Sequence, residues 1–211
     1  MSEKPKKNKV IKAWVHQHVN DAYVNQAQKD GYRSRAAYKL LEIDRDDNLF
    51  NKAQIVVDLG CAPGSWSQVA IGKVGVNGKV IGVDLLEIDP IPRLNFIHGD
   101  FTEQETLNRL LMAIDNKEVD LVISDMAPNL SGIKNVDQAR SAYLVELVLD
   151  FSASYLKVGG NCLIKVFQGS EFEDLVKLAR NVFTQVIIRK PEASRSKSKE
   201  VYLLCKSKKP M

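Results

Sequence analysis

From residue 54 onward, short apolar runs rich in β-branched residues alternate with helix-patterned stretches, and few folds accommodate that order. The runs QIVVDL (54–59), KVIGVDL (79–85), LNFIHG (94–99), VDLVISD (119–125), NCLIKVF (161–167), FTQVIIRK (183–190) and EVYLLCK (200–206) read as strands. Helices fit between them near 65–73, 103–114, 137–157 and 171–181. Such alternation predicts an α/β architecture with a mostly parallel sheet covered on both faces. The last two strands are joined only by PEASRSKSK, with no crossover helix, which predicts an antiparallel hairpin at the sheet's end. Upstream, Asn20 or Asp21 can cap a helix to about Lys29, with Gly31 just past its end. Ser34 can cap a second helix, RAAYKLLEID. Residues 1–12 lack apolar periodicity and read as a basic flexible arm before a single domain, 13–211.

No stretch reaches the ~18 apolar residues of a membrane helix, and the N-terminal lysines are followed by no apolar core of a secretory leader. Cys61, Cys162 and Cys205 are far apart, form no CxxC pair and share no ligand spacing with the three histidines. Neither a disulfide framework nor a metal is expected, and a reducing cytoplasm is the expected compartment. The net charge of +4 conceals an asymmetry: residues 1–12 carry +4, residues 189–211 carry +6, and the middle is acidic. Basic ends on an acidic body suggest a polyanionic partner.

The first strand ends in Asp58-Leu59-Gly60-Cys61-Ala62-Pro63-Gly64-Ser65-Trp66. A glycine turn after the first strand of such a sheet is where ligands usually bind. The dinucleotide pattern GxGxxG fails because residue 62 is alanine, and the phosphate loop fails for lack of its lysine. The remaining reading is S-adenosylmethionine, whose methyltransferases place a D-x-G-x-x-x-G turn here. Such a turn alone can be no more than tight packing. The acids strengthen it: Asp58, Asp84, Asp100 and Asp125 each close a strand, on the ligand-binding edge of an open sheet. Asp84 is placed for ribose hydroxyls and Asp100 for an adenine edge, while Gly60, Pro63, Gly64 and Trp66 shape the methionine end.

The second substrate is read from other residues. Asp125-Met126-Ala127-Pro128-Asn129 departs from the [DN]-P-P-[YF] turn common in methyltransferases that act on adenine amino groups. Lys165 interrupts the otherwise apolar CLIKVF and must reach the sheet's edge or find a partner. Arg35 and Lys39 lie four apart on the second helix with Arg33 just before, and like charges at that spacing oppose the helix unless a partner offsets them. A phosphate backbone would be such a partner, with Arg195 and Lys197 of the basic loop joining it.

Lys39 in RSRAAYKL, Asp125 in SDMAPN, Lys165 in IKVFQG and Glu200 in SKEVY form a K-D-K-E set that resembles the ribose 2′-O-methyltransferases of the FtsJ family. VDLGCAPGSWSQ, GDF, SDMAPNLSG and KVFQG extend the resemblance over most of the chain, from about Trp14 to Leu204. Family members often have alanine where Cys61 stands and glycine at Ser65, and neither change removes a catalytic or cofactor side chain. The resemblance implies a Rossmann-like class I S-adenosylmethionine-dependent methyltransferase fold with a seven-stranded sheet whose last strand is antiparallel. It also implies a monomer acting on a uridine in the A-loop of 23S rRNA within the large ribosomal subunit. Two other functions remain open at this point: a tRNA ribose methyltransferase and a non-catalytic RNA-binding assembly factor. For ribose methylation, Lys165 is the expected base, Asp125 orients it, Lys39 holds the hydroxyl or a phosphate, and Glu200 fixes the lysines.

Overall fold

The structure, a computed structural model, describes residues 21–51, 54–129 and 131–210; the arm expected at 1–12 lies outside them. The described elements are α1 (Ala22–Asp30), α2 (Ala36–Asp47), β1 (Ile55–Leu59), α3 (Ser65–Lys73), β2 (Lys79–Asp84), β3 (Leu94–His98), α4 (Gln104–Ala113), β4 (Val119–Ser124), α5 (Lys134–Tyr155), β5 (Leu156–Phe167), α6 (Phe172–Val182), β6 (Phe183–Arg189) and β7 (Glu200–Lys208). Seven strands form one sheet in the order β3-β2-β1-β4-β5-β7-β6. β1 to β5 are parallel, and β7 runs antiparallel to both β5 and β6. This is the mostly parallel sheet ending in an antiparallel hairpin that the alternation predicts, with the seven strands that the resemblance implies.

Period-2 alternation decides which helices cover which face. Val56, Val80, Leu121, Ile123, Leu163, Tyr202 and Leu204 pack with α2 and α3. Val57, Ile81, Val122 and Ile164, on the opposite face, pack with α4, α5 and α6. Strand order reverses between β1 and β4, and the crevice at that switch point is where an open α/β sheet takes a ligand. Because β7 is antiparallel, it begins where β5 ends: Glu200 pairs with Phe167, and Tyr202 with Lys165. That reversal brings a C-terminal carboxylate to the edge where β1 and β4 finish.

Two element starts differ from the sequence reading by three residues or more. α5 begins at Lys134, not 137, because Asp137 reaches back and accepts from Ser131 N–H at 2.7 Å and Gly132 N–H at 3.1 Å. β5 begins at Leu156, not 161; Leu156 pairs with Val119, and a register shift then carries the strand across the Gly159-Gly160 pair to Asn161 opposite Leu121. Glycines there hide the strand from a propensity reading. The first helix starts and stops as expected, with Asp21 accepting from Tyr23 N–H and Gly31 at φ 77°. The second starts one residue later than expected, though Ser34 Oγ still accepts from Ala36 N–H at 3.2 Å.

The far end of α2 is tied to the hairpin. Asp47 receives Arg189 in a bidentate pair at 2.6 and 2.7 Å and Lys206 Nζ at 3.4 Å. Asp47→Ala leaves both cations without this partner and is expected to lower unfolding stability by ~1–3 kcal/mol. Urea unfolding followed by circular dichroism checks it, and an unchanged midpoint would show that the tie holds nothing.

Candidate active site

The turn between β1 and α3 lies under the switch point. Gly60 adopts φ +72° and sits so close to the β4 exit that a Cβ would come 1.9 Å from Met126 Cγ, so only glycine fits. Gly64, at φ +103°, is the N-cap of α3 and brings no side chain to that helix's first N–H groups. The Ala62–Pro63 peptide bond is cis.

Asp58 lies beneath this turn, 1% exposed. It accepts Ser67 Oγ–H at 2.6 Å and also a bond from the Ser67 backbone. Burial pushes its carboxyl up to about 7, opposed by the Ser67 bonds and assisted by the nearby Asp125 and Asp84 charges. Asp84 is pinned at the end of β2, accepting Ala62 N–H on one oxygen and Leu86 N–H on the other, both at 2.8 Å. Asp100 accepts the N–H and hydroxyl of Thr102 at 2.9 and 2.7 Å.

Asp84 and Asp100 line one cavity of about 450 Å³ with Gly60, Met126, Pro128 and Tyr143 among its walls. The volume and the mixture of apolar wall with a few fixed carboxylates suit a nucleoside-sized cofactor. Asp58 and the Trp66 side chain stand behind this wall and do not line it. Trp66 is 2% exposed, its Nε1–H bonds Ala36 O at 2.8 Å, and its ring stacks 5.7 Å from that of Tyr202. The sequence reading gave Asp58, Pro63, Gly64, Trp66 and Asp125 direct roles at the cofactor; none of the five lines this cavity, and the Asp58 side chain ties β1 to α3 through Ser67 while that of Trp66 ties α3 to α2.

The four residues of the K-D-K-E set converge beside the cavity. Lys165 Nζ lies 3.1 Å from Asp125 Oδ1 and also donates to the Asp125 carbonyl. Lys39 Nζ lies 2.7 Å from Glu200 Oε1 and 4.0 Å from Asp125 Oδ2. Lys165 and Glu200 are each 9% exposed. Burial works to raise the Glu200 carboxyl, but Lys39 first, then Lys165 and Ser194, outweigh it and hold the group below its ordinary range.

Two members of the cluster were missed by sequence reasoning. Tyr202 Oη lies 2.8 Å from Asp125 Oδ1 and 3.1 Å from Glu200 Oε1, so one hydroxyl bridges the two carboxylates. Burial, then the Asp125 and Glu200 charges, hold its phenol well above the usual range, and it stays a donor. Lys39 Nζ sits 5.7 Å from the Tyr202 ring centroid, within cation–π range. Ser194 donates to Glu200 Oε1 at 2.9 Å. The available signal for Tyr202 was its place two residues after Glu200, on the same strand face.

The basic residues behave differently from one another. Arg35 pairs with Asp21 and donates to Ala193 O, and Lys39 pairs with Glu200, so the like charges on α2 are offset inside the protein. Arg195 lies 4.0 Å from Asp21 and is exposed, as is Lys197. Arg33 is engaged elsewhere: its guanidinium donates to the carbonyls of Pro63, Asp89 and Pro90 at 2.8, 2.7 and 3.1 Å, which corrects the expectation that it is free for phosphate. Among the described residues no cluster of His, Cys, Asp and Glu could hold a metal ion, and no helix is long and apolar enough to cross a membrane.

A seven-stranded sheet with this order, a glycine turn after β1 and carboxylates closing β2 and β3 define a class I methyltransferase. Comparison with known proteins narrows the class. The family model of FtsJ-like methyltransferases matches residues 32–208, and the chain belongs to that family. It is 57% identical over 199 residues to the ribosomal RNA large subunit methyltransferase E of Methylobacillus flagellatus, covering 94% of this chain and 96% of that one. It is 55% identical to the protein of the same name from Azoarcus sp., covering 94% and 97%. A Plasmodium falciparum protein described as a ribosomal RNA methyltransferase superimposes with a TM-score of 0.75 at 33% identity, covering 85% of this chain and 100% of that one. Aeropyrum pernix fibrillarin, solved with natively bound S-adenosyl-L-methionine, shares the fold at a TM-score of 0.55 and 16% identity, covering 82% and 75%. The chain is an S-adenosylmethionine-dependent methyltransferase.

The Asp58 carboxyl gives a pH test. Its folded value lies above the ordinary 3.8, so its contribution to stability is fully present below that value and is lost as pH rises through about 7. Asp58→Asn keeps an acceptor for Ser67 and removes the ionisation. Thermal melts between roughly pH 5 and 8 should show the wild type losing stability relative to the variant as pH rises. Parallel melting profiles would place the titration elsewhere.

Proposed function

We propose that this protein transfers a methyl group from S-adenosylmethionine to the ribose 2′-hydroxyl of a uridine in 23S rRNA, at the A-loop of the large ribosomal subunit. The name shared by relatives at 52–57% identity supports methylation of large-subunit rRNA. The observation that carries the finer reading is the half-buried Lys39–Asp125–Lys165–Glu200 cluster beside the cofactor cavity.

The residues fit the cofactor. Asp84 and Asp100 would hold the ribose and adenine, since both are fixed at the cavity wall by backbone donors. The glycine turn and the first N–H groups of α3 would face the methionine carboxylate, as helix N-termini favour anions. When bound, the cofactor supplies an electrophilic methyl on a sulfonium centre.

The protein's part is positioning and proton removal. A ribose hydroxyl is a poor nucleophile, and holding it about 3 Å from its target supplies much of the acceleration. Lys165, as the free amine, is the proton acceptor: the hydroxyl oxygen takes the methyl, its proton passes to Nζ, and the ammonium so formed is compensated by Asp125. Its Nζ gives two N–H bonds to Asp125, one to the carboxylate and one to the carbonyl. A third position remains, and it carries a hydrogen in the ammonium and a lone pair in the amine. Both forms therefore keep the same anchoring, and Asp125 orients the group in either state. Lys39, held by Glu200, faces the hydroxyl or its flanking phosphate. Glu200 fixes the lysines through its contact with Lys39 and through Tyr202. The exposed Arg195, which lines a pocket with Lys39 and Glu200, and the exposed Lys197 would meet the RNA backbone, while Arg35, paired with Asp21 and bonded to Ala193 O, ties the start of α2 to the basic loop.

Single-turnover transfer of labelled methyl to undermethylated large subunits tests the proposal. Wild-type protein should label 23S rRNA. Lys165→Ala should keep cofactor and RNA binding and lose transfer by ~10²–10⁴-fold, the usual worth of a positioned acid–base group. Near-normal rates in Lys165→Ala with an inactive Lys39→Ala would reverse the two lysines. No label from the wild type on any large-subunit preparation would remove the rRNA reading.

A further inference from the structure

Arg33 sits in the connector between α1 and α2, where the sequence suggests a phosphate contact. The structure directs it along the surface onto the protein's own loops. Its three guanidinium bonds end on backbone carbonyls of two loops: Pro63, immediately before the N-cap of α3, and Asp89 and Pro90, between β2 and β3. These loops supply the glycine turn and Leu86, and Leu86 lines the cofactor cavity. A planar fork whose donors sit on two separate nitrogens spans carbonyls of two loops, a geometry that the single nitrogen of a lysine matches less well.

Arg33 also lies over Gly64. A Cβ on Gly64 would meet Arg33 Nη1 at 3.2 Å and Ile91 Cδ1 at 2.5 Å, so the glycine, the arginine and the β2–β3 loop are packed together. The connector is sewn to the start of α3 by further bonds. Arg33 N–H donates to Gln68 Oε1 at 2.9 Å, Gln68 Nε2 donates to Gly31 O at 2.9 Å, and the Ser34 and Ser65 hydroxyls are 2.7 Å apart. The same segment runs on into α2, where Ala36 O accepts the Trp66 indole and Lys39 enters the catalytic cluster.

We propose that Arg33 is a positioning residue for S-adenosylmethionine: it clamps the β1–α3 turn to the β2–β3 loop and sets the spacing of the two backbone walls between which the cofactor binds. It holds the protein's own carbonyls in place of an RNA phosphate. The identity of the RNA does not enter, because cofactor affinity is measured without RNA.

Calorimetry with S-adenosylmethionine alone, on wild type, Arg33→Ala, Arg33→Lys and Gln68→Leu, is the test. Arg33→Ala should weaken binding about 10- to 100-fold, the scale of one charge-assisted hydrogen bond lost to the turn. Arg33→Lys should fall between, and millimolar guanidinium should restore part of the Arg33→Ala loss. In turnover, KM for S-adenosylmethionine should rise while kcat at saturation holds, the signature of lost binding. RNA affinity should keep its wild-type dependence on salt. Gln68→Leu leaves Arg33 in place, removes the companion bonds and should weaken the cofactor in the same direction, which keeps the test decisive if Arg33→Ala does not fold. Unchanged cofactor affinity in Arg33→Lys and Gln68→Leu alike overturns the proposal. So does a salt slope reduced by about 1 in Arg33→Ala with cofactor binding intact, the mark of a lost phosphate contact.

Discussion

Two ammonium groups and two carboxylates share a largely buried volume at the edge of this sheet, and the site depends on their mutual compensation. An unpaired charge in such surroundings costs several kcal/mol. Asp125 answers Lys165 at 3.1 Å, and Glu200 answers Lys39 at 2.7 Å. Tyr202 stands between the two pairs, its one hydroxyl proton within reach of either carboxylate. The alternating charges let two lysines share one site without forcing either out of it.

Topology makes the cluster possible. Asp125 follows β4, Lys165 lies near the end of β5, and both are delivered to the edge by parallel strands. Glu200 and Tyr202 reach the same edge only because β7 runs the other way, starting opposite Phe167. Lys39 comes from α2 on the face shared with Tyr202 and Trp66. The helix is held at one end by Trp66 bonding Ala36 O and at the other by Asp47 pairing with Arg189. Cofactor turn, helix and hairpin therefore form one connected support, and Arg33 closes it on the side of the β2–β3 loop.

Much of this was legible in the chain. Strand and helix periods, glycine punctuation and carboxylates at strand ends are local signals, and they gave the sheet, the turn at Gly60 and the acids at 84, 100 and 125. The K-D-K-E set came from resemblance; spacing alone left Lys165 and Glu200 as ordinary edge residues. What stayed hidden depended on partners far along the chain. Tyr202 reads as one more apolar strand position until its register opposite Lys165 is known. Arg33 and Arg35 read as free cations until Pro63, Asp89 and Asp21 are seen beside them. The first turn of β5 was concealed by its glycines, whose strand character comes from pairing with β4.

The central claim is that this cluster directs a methyl group to a ribose oxygen. The direct measurement is nucleoside analysis of 23S rRNA after reaction of undermethylated large subunits with the protein and isotopically labelled S-adenosylmethionine. The account predicts that the label appears in 2′-O-methyluridine, released as an alkali-resistant dinucleotide, and that it disappears with Lys165→Ala. Label carried on a base, with the ribose 2′-hydroxyls unmodified, would contradict it.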